Sequence, residues 1–359
     1  MLVHICCSVD SHFFLQKLKE DFPNERLVGF FYNPNIHPYS EYKLRLLDVQ
    51  RSCDRLGIEL IEGEYDFKVW MKVVEGYEKE PEKGIRCKIC FDKRFEVSAK
   101  KAREIGEKSI TTTLLVSPKK SQDQLKKSGE RLAKDYGLEF VYVDYRSNGG
   151  TQLQQQISKS EKLYRQNYCG CIFGLTIQRN QQNKLADELF LPIDKRVLPG
   201  SIKERLDMYK NRLKLEEKNQ NYEIVRQKFL NYRLKFGWVR DKKATLSSYI
   251  LPYSVMKRRY ATGKVKLQVD GVYWFNKEEI RFITLENYNQ LSQCNYKSVK
   301  ELIFNPPPFE TDMLIRQKIG LELWDLSPIV VLKEIPKGKI EILIESVVFE
   351  DVREKLVLL

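Results

Sequence analysis

Short β-rich runs alternate with helically spaced apolar positions over the first half of the chain. Residues 2–6, 26–32 and 58–61 are brief stretches rich in Val, Leu, Ile and Phe, and each predicts a strand. Between them, 13–18 and 41–56 repeat apolar residues every three or four positions, which predicts helices. The alternation continues with helical spacing through Phe67, Trp70, Met71 and Val74 and a helix over 91–105. A strand at 109–112, a helix over 122–136 and a strand at 139–143 follow. Strand, helix and strand in regular succession predict a doubly wound α/β domain with a parallel sheet.

The character changes after Leu191-Pro192, where two charged segments, 203–218 and 222–235, read as helices. A boundary is therefore expected near 195, dividing an α/β domain of residues 1–195 from a basic domain of residues 196–359. Beyond 263 the runs 265–275, 281–285 and 339–349 predict strands, and Pro306-Pro307-Pro308 predicts an extended spacer. The second domain is expected to be α+β.

Composition narrows the class of protein. With 42% hydrophobic and 31% charged residues the chain has the balance of a globular protein. No apolar run approaches the eighteen or so residues a membrane helix needs, and His4, Asp10, Lys17 and Lys19 stand where a secretion leader would be apolar. The expected location is cytoplasmic, with no membrane partner. The net charge of +13 is concentrated: residues 201–266 hold 18 Lys and Arg against 6 Asp and Glu. Arg212, Lys257, Arg258 and Arg259 in this stretch are interleaved with Tyr222, Phe229, Tyr232, Trp238, Tyr253 and Tyr260. Cations and aromatics in this pattern suit an unpaired nucleic acid, with a solvated face and a packed core as the plainer explanation.

Eight cysteines in a reducing compartment point to metal or redox chemistry rather than structural bridges. Six fall in three pairs: Cys6-Cys7, Cys87-x-x-Cys90 and Cys169-x-Cys171. Cys6 and Cys7 follow the first predicted strand and open a helix, where a doubly wound fold places its ligands. Asp10 and Ser11 lie in the same turn, and either also suits a helix cap. Cys87 and Cys90 stand between Gly84 and a helix expected to begin at Phe91, a position that favours thiolate. With Cys6 and Cys7 they make a four-thiolate set suited to structural zinc or a 4Fe-4S cluster. Cys169 and Cys171 would close a very small, easily reduced disulfide ring, which fits a redox switch better than a staple. They are equally able to serve as metal ligands. Cys53, inside a predicted helix, reads as core.

The first turn also resembles the phosphate loop of the PP-loop ATP pyrophosphatases, Ser-Gly-Gly-x-Asp-Ser. Here it reads Cys6-Cys7-Ser8-Val9-Asp10-Ser11. The Asp and Ser remain, but the glycines that let backbone approach a pyrophosphate are replaced by thiols.

Six segments taken in order resemble the QueH family of cobalamin-independent epoxyqueuosine reductases. They are His4-Ile5-Cys6-Cys7-Ser8-Val9-Asp10, Tyr32-Asn33-Pro34-Asn35-Ile36-His37-Pro38, Glu41-Tyr42, Arg86-Cys87-Lys88-Ile89-Cys90-Phe91, Thr111-Thr112-Thr113-Leu114-Leu115-Val116-Ser117-Pro118 and Tyr164-Arg165-Gln166-Asn167-Tyr168-Cys169-Gly170-Cys171. The resemblance ends near residue 180. It implies a nucleotide-hydrolase-like (HUP/PP-loop-like) sheet and reduction of epoxyqueuosine to queuosine at the wobble position of transfer RNA. It also implies a 4Fe-4S cluster on Cys6, Cys7, Cys87 and Cys90 and an additional iron; because vicinal cysteines bind one cluster awkwardly, the alternative is that one of Cys6 and Cys7 holds that iron with Asp10. Loss of an epoxide oxygen takes two electrons and two protons, so a second redox store is needed beside a one-electron cluster. Cys169 and Cys171 are the expected store, an electron donor is implied, and Tyr42 or His37 is a candidate proton source. An ATP-dependent RNA thiolase and a zinc-bearing RNA-binding protein are the competing readings.

Overall fold

The computed structural model describes residues 1–118, 120–190, 196–275, 280–320, 322 and 325–359. The boundary expected near 195 lies outside the described residues. Contacts divide the chain into one unit of Met1–Leu189, Arg205–Ile224 and Leu358–Leu359 and another of Phe190–Glu204 and Val225–Val357.

The first unit is built on five strands, β1 (Leu2–His4), β2 (Val28–Phe31), β3 (Glu59–Glu62), β4 (Ser109–Thr112) and β5 (Glu139–Phe140), in the order β3-β2-β1-β4-β5. Every pairing is parallel. Strands covered on both faces must be apolar throughout, and Leu2, Val3, Val28 and Phe31 are fully buried. The edge strand β3 instead exposes Glu59 and Glu62, which discourages pairing with another chain. Helices α1 (Ser8–Asp21), α2 (Tyr39–Leu56), α3 (Phe67–Val73), α4 (Ile85–Glu104), α5 (Gln122–Asp135), α6 (Gly150–Ser160) and α7 (Ile172–Gln181) complete the doubly wound fold that the periodicity predicts. Strand order reverses between β1 and β4, which opens a crevice at the carboxyl ends of these two strands.

Helix α2 has an unusual buried face. Glu41, Arg45 and Asp48, spaced to lie on one side, are all buried. Asp48 accepts hydrogen bonds from Ser8 Oγ at the start of α1, from the Tyr164 amide at 2.7 Å, and from Arg212 Nη2 at 2.5 Å. Arg212 belongs to α8 (Ile202–Glu217) and also donates to the Lys162 carbonyl at 2.9 Å. Sequence reading places Arg212 among the phosphate-binding cations; it is instead fully buried and paired.

The second unit contains a mixed sheet and an antiparallel one. Strands β6 (Tyr222–Asp241), β7 (Ala244–Leu246), β9 (Tyr260–Gly263) and β14 (Ile340–Leu358) form a sheet in the order β7-β6-β14-β9. The other sheet joins β10 (Val265–Val269), β11 (Val272–Phe275), β12 (Ile280–Thr284), β13 (Ile329–Leu332) and β8 (Tyr249–Ile250) in that order. Helices α9 (Leu285–Ser292), α10 (Val299–Phe304) and α11 (Phe309–Lys318) complete an α+β unit. The helix expected over 222–235 is strand β6. Its apolar residues at 224, 225, 229 and 232 fit a helical stripe, but the segment is dense in aromatic and β-branched residues that favour a pleated surface, and it pairs with β14. Among the described residues no helix is long and apolar enough to cross a membrane.

Removing one partner of a buried ion pair strands the other charge. Arg212→Ala should therefore cost about 3–5 kcal/mol of stability, read as a lower urea midpoint. Lys210→Ala on the exposed side of the same helix should change stability by no more than about 0.5 kcal/mol.

Candidate active site

Cys6 and Cys7 leave β1 at the crevice. Cys7 takes the cap position of α1 with extended backbone (φ −163°, ψ 157°), so neither Asp10 nor Ser11 is the cap. The Sγ atoms of Cys6 and Cys7 are 3.8 Å apart, and Cys6 Sγ is 4.0 Å from Thr113 Oγ1 beyond β4. Ligand atoms of Cys6, Cys7 and Asp10 all lie within 4.8 Å of one another. Asp10 is buried and accepts from Gln154 Nε2 at 2.7 Å. Burial, with the charge of Cys6 next in weight, pushes its carboxyl up from 3.8 to about 7. Within the thiol pair the hydrogen bond from Cys7 favours Cys6 as thiolate, assisted by the charges of Arg94 and Arg45. The same contact and burial hold Cys7 protonated.

Helix α4 begins at Ile85, six residues before the expected start, so Cys87 and Cys90 lie within its first two turns. Cys87 Sγ accepts from the Lys83 amide at 3.3 Å and Cys90 Sγ from Trp70 Nε1 at 3.4 Å. Burial raises both thiols, against the thiolate preference expected of the helix start. Desolvation outweighs the helix end here because both sulfurs are largely withdrawn from water.

The turn of Cys169, Gly170 and Cys171 is fixed from several directions. Arg45, paired with Glu41 at 2.7 Å, donates to the carbonyls of Cys169 at 3.1 Å and Tyr168 at 3.0 Å. The His37 amide donates to the Gly170 carbonyl at 2.9 Å, and Tyr168 Oη to the His37 carbonyl at 2.6 Å. Gly170 has φ +104°, and a Cβ there would stand 2.9 Å from the Ile36 side chain, so the position requires glycine. Lys120 Nζ lies 3.0 Å from Cys169 Sγ. Burial opposes the Cys169 thiolate, but the charge and hydrogen bond of Lys120 outweigh it and lower the thiol. Cys171, at the start of α7, is pushed up to about 12 by burial and by the neighbouring charge of Cys169.

Among the described residues Cys6, Cys7 and Asp10 are the group whose ligand atoms come within 4.8 Å of one another; the expected four-thiolate set with Cys87 and Cys90 is not drawn together to that distance, and shared cations link the pairs. The Lys120 charge acts on Asp10, Cys87, Cys90 and Cys169, while that of Arg94 acts on Cys6, Cys90 and Cys169. Arg94 is itself buried, donating to Asn33 Oδ1 at 2.6 Å beside His4.

Comparison with known proteins places this arrangement. Residues 1–176 match the family described as "Epoxyqueuosine reductase QueH". The epoxyqueuosine reductase QueH of Helicobacter pylori is 41% identical over 373 aligned positions, covering 98% of this chain and 98% of that one. The chain belongs to the QueH family. The QueH protein of Histophilus somni is 40% identical over 177 residues, covering 49% of this chain and 72% of its own. Among QueH relatives the basic second region is therefore shared with the H. pylori protein over its full length, which the resemblance limited to the first 180 residues did not reveal. A solved structure of the U34-tRNA thiolase NcsA from Methanococcus maripaludis with its [4Fe-4S] cluster is 13% identical with a TM-score of 0.33, covering 60% of this chain and 72% of that one.

All seven sequence-derived site residues of this QueH chain lie in the first unit, and Cys6, Cys7 and Asp10 stand at the crevice the topology selects. Lys120, Arg94, Arg45 and Gly170 were missed as functional residues. Lys120 stands just past the matched stretch ending at Pro118, and Arg45 lies one helical turn after Glu41, but no local spacing signals their contacts to the thiol pairs. Tyr42, a candidate proton source, is buried with its hydroxyl donating to Glu62 Oε1 at 3.1 Å, and burial raises it further. His37 stacks on Phe67 with centroids 5.0 Å apart, and burial lowers it. Cys53 is core, as expected.

A carboxyl raised in the folded protein stays neutral there while it is already ionised in the unfolded chain. Asp10 therefore removes stability as pH rises from 3.8 through about 7, with a constant loss above. In the metal-free protein Asp10→Asn, which keeps an oxygen for Gln154, should gain about 2–4 kcal/mol at pH 8 and almost nothing at pH 4. Urea unfolding of both proteins across this range measures the difference.

Proposed function

We infer that this chain is an epoxyqueuosine reductase that converts the epoxide of epoxyqueuosine in transfer RNA to the alkene of queuosine. The observation that carries the reading is the grouping of Cys6, Cys7 and the buried Asp10 within 4.8 Å of one another at the crevice of a doubly wound sheet, in a unit that carries four further free cysteines in two close pairs. Soft thiolates in that number suit iron and sulfide, and buried cations offset their negative charge. Cys6, Cys7, Cys87 and Cys90 are the ligands we assign to a 4Fe-4S cluster, with Asp10 as the oxygen donor to an additional iron. When bound, the cluster supplies single electrons and the further iron a Lewis acid.

The chain's own residues account for the two-electron balance. Cys169 as thiolate and Cys171 as thiol yield two electrons and one proton on forming a disulfide, and the epoxide consumes the two electrons, that proton and one from solvent to leave an alkene and water. An external electron donor then returns the disulfide to the dithiol. The asymmetry of the pair supports this role: one sulfur is favoured as thiolate beside Lys120, and the other is held protonated. Thiols at Cys6 and Cys7 occupy the turn that an ATP-dependent thiolase would keep for phosphate, which disfavours that alternative.

Transfer RNA needs a cationic surface, and the second unit offers one. Lys257, Arg258 and Arg259 are exposed, whereas Tyr222 and Tyr232 are buried and are withdrawn from the stacking candidates. Tyr260 is exposed and edge-on to Trp238, over which Arg240 sits at 4.1 Å, a grouping able to stack on unpaired bases.

The direct test is reduction of epoxyqueuosine-bearing transfer RNA by anaerobically purified protein with a chemical reductant, together with its visible spectrum and iron and sulfide content. Colourless, zinc-loaded protein without turnover would refute the assignment. Cys87→Ala and Cys90→Ala should each lose iron, sulfide and activity, while Lys88→Ala keeps all three. Cys169→Ser and Cys171→Ser should each retain full iron yet lose turnover; iron depletion in either would transfer that residue to the ligand set. Replacing Lys257, Arg258 and Arg259 by Ala should weaken transfer RNA binding and flatten its salt dependence by about one counterion per lost phosphate contact. Titrations at several salt concentrations measure both, and an unchanged slope would remove these residues from the binding surface.

A further inference from the structure

The loop after β4 is an unusually well-braced carrier for one lysine. The Lys120 amide donates to the Ser117 carbonyl at 3.1 Å, closing a turn. Arg146 donates to the Lys120 carbonyl at 3.0 Å and to the Leu115 carbonyl at 2.7 Å, so the backbone is tied on both sides of the turn. The side chain is 8% exposed. A buried ammonium needs compensating charge, and its two neighbours are Glu82 Oε1 at 3.3 Å and Cys169 Sγ at 3.0 Å. Glu82 is 44% exposed, which leaves the sulfur as the partner on the buried side.

The other thiol of the pair has a different setting. Cys171 packs in the apolar cluster of Trp70, Val74, Cys90 and Phe173. Arg45 and Gly170 fix the backbone between the two sulfurs, so neither is free to exchange places with the other.

We propose that Lys120 is a positioning residue that makes Cys169, and not Cys171, the attacking sulfur of the dithiol, an assignment that rests on the dithiol reading given above. In the forward reaction Cys169 enters as the thiolate and Cys171 as the thiol: the S–S bond forms while the two C–O bonds of the epoxide break, the two electrons pass to the carbons that become the alkene, and one proton from Cys171 and one from solvent leave with the oxygen as water. In the return reaction two electrons and one proton from the external donor break the S–S bond, the proton going to Cys171 while Cys169 departs as the thiolate beside the ammonium. A sulfur stabilised as thiolate is the better leaving group, so Lys120 serves both directions.

The test is alkylation of reduced, iron-loaded protein by iodoacetamide under anaerobic conditions between pH 5 and 10, with each labelled cysteine located by peptide mass. Cys169 should label before Cys171 and at lower pH than an ordinary thiol. In Lys120→Met the rate at Cys169 at pH 7 should fall about tenfold, because the thiolate is the reacting form and loses its neighbouring cation. Lys120→Arg should restore most of it, and Lys120→Gln should behave as Lys120→Met should the latter fold poorly. Iron and sulfide should be unchanged in all three. A Cys169 profile in Lys120→Met and Lys120→Gln identical to that of the parent, or loss of iron from these variants, would overturn the assignment. Iron depletion in Cys169→Ser with the labelling profile as expected would instead overturn the dithiol reading and leave the Lys120 contact standing.

Discussion

The buried polar face of α2 holds the site together. Glu41, Arg45 and Asp48 occupy positions that an ordinary amphipathic helix would give to Leu or Val, and burying them is tolerable only because each finds partners. Asp48 joins the start of α1, next to Cys7, to the segment that leads into Cys169 and to α8. Glu41 binds Tyr164 Oη at 2.8 Å as well as Arg45, and Arg45 reaches the backbone of the CxC turn. One helix face thus sets the separation between thiol groups that are more than 160 residues apart in the chain. An apolar face would pack as well but would leave these carbonyls and amides without partners.

The thiols arrive from different structural sources, and this explains their different environments. Cys6 and Cys7 sit where a strand ends and a helix begins, Cys87 and Cys90 ride in the first turns of α4, and Cys169 and Cys171 sit on a braced turn. Withdrawing sulfurs from water is unfavourable for thiolates unless positive charge is brought in with them. Lys120, Arg94 and Arg45 provide it, and Arg94 and Arg45 are tethered by Asn33 and Glu41, so the positions of these two do not depend on the ionisation of any one thiol.

Most of the first unit was legible from periodicity, because parallel strands buried on both faces and amphipathic helices leave strong and distinct patterns. The cysteine pairs were legible too, since their spacing is local. Long-range partners were not: nothing around residue 120 or residue 212 announces the sulfur or carboxylate each meets. The second unit was less readable because β6 is largely solvent-facing, and a strand with few buried positions carries the same mixture of charge and apolar residues as a surface helix. The burial that opposes thiolate at the CxxC is likewise a tertiary effect invisible in the motif, since Cys90 lies with Trp70 and Val74 while Cys87 packs against the core of the first unit.

Gly170 has a consequence for anyone who would move this chemistry elsewhere. Two cysteines separated by a single residue are easily written into a loop, but most hosts would place an L-residue's ordinary backbone between them. Here the intervening residue is left-handed and pressed against Ile36, so the relative placement of the sulfurs is encoded in chain handedness and in a neighbouring aliphatic wall. A graft that copied the cysteines alone would carry over the composition of the pair without its geometry.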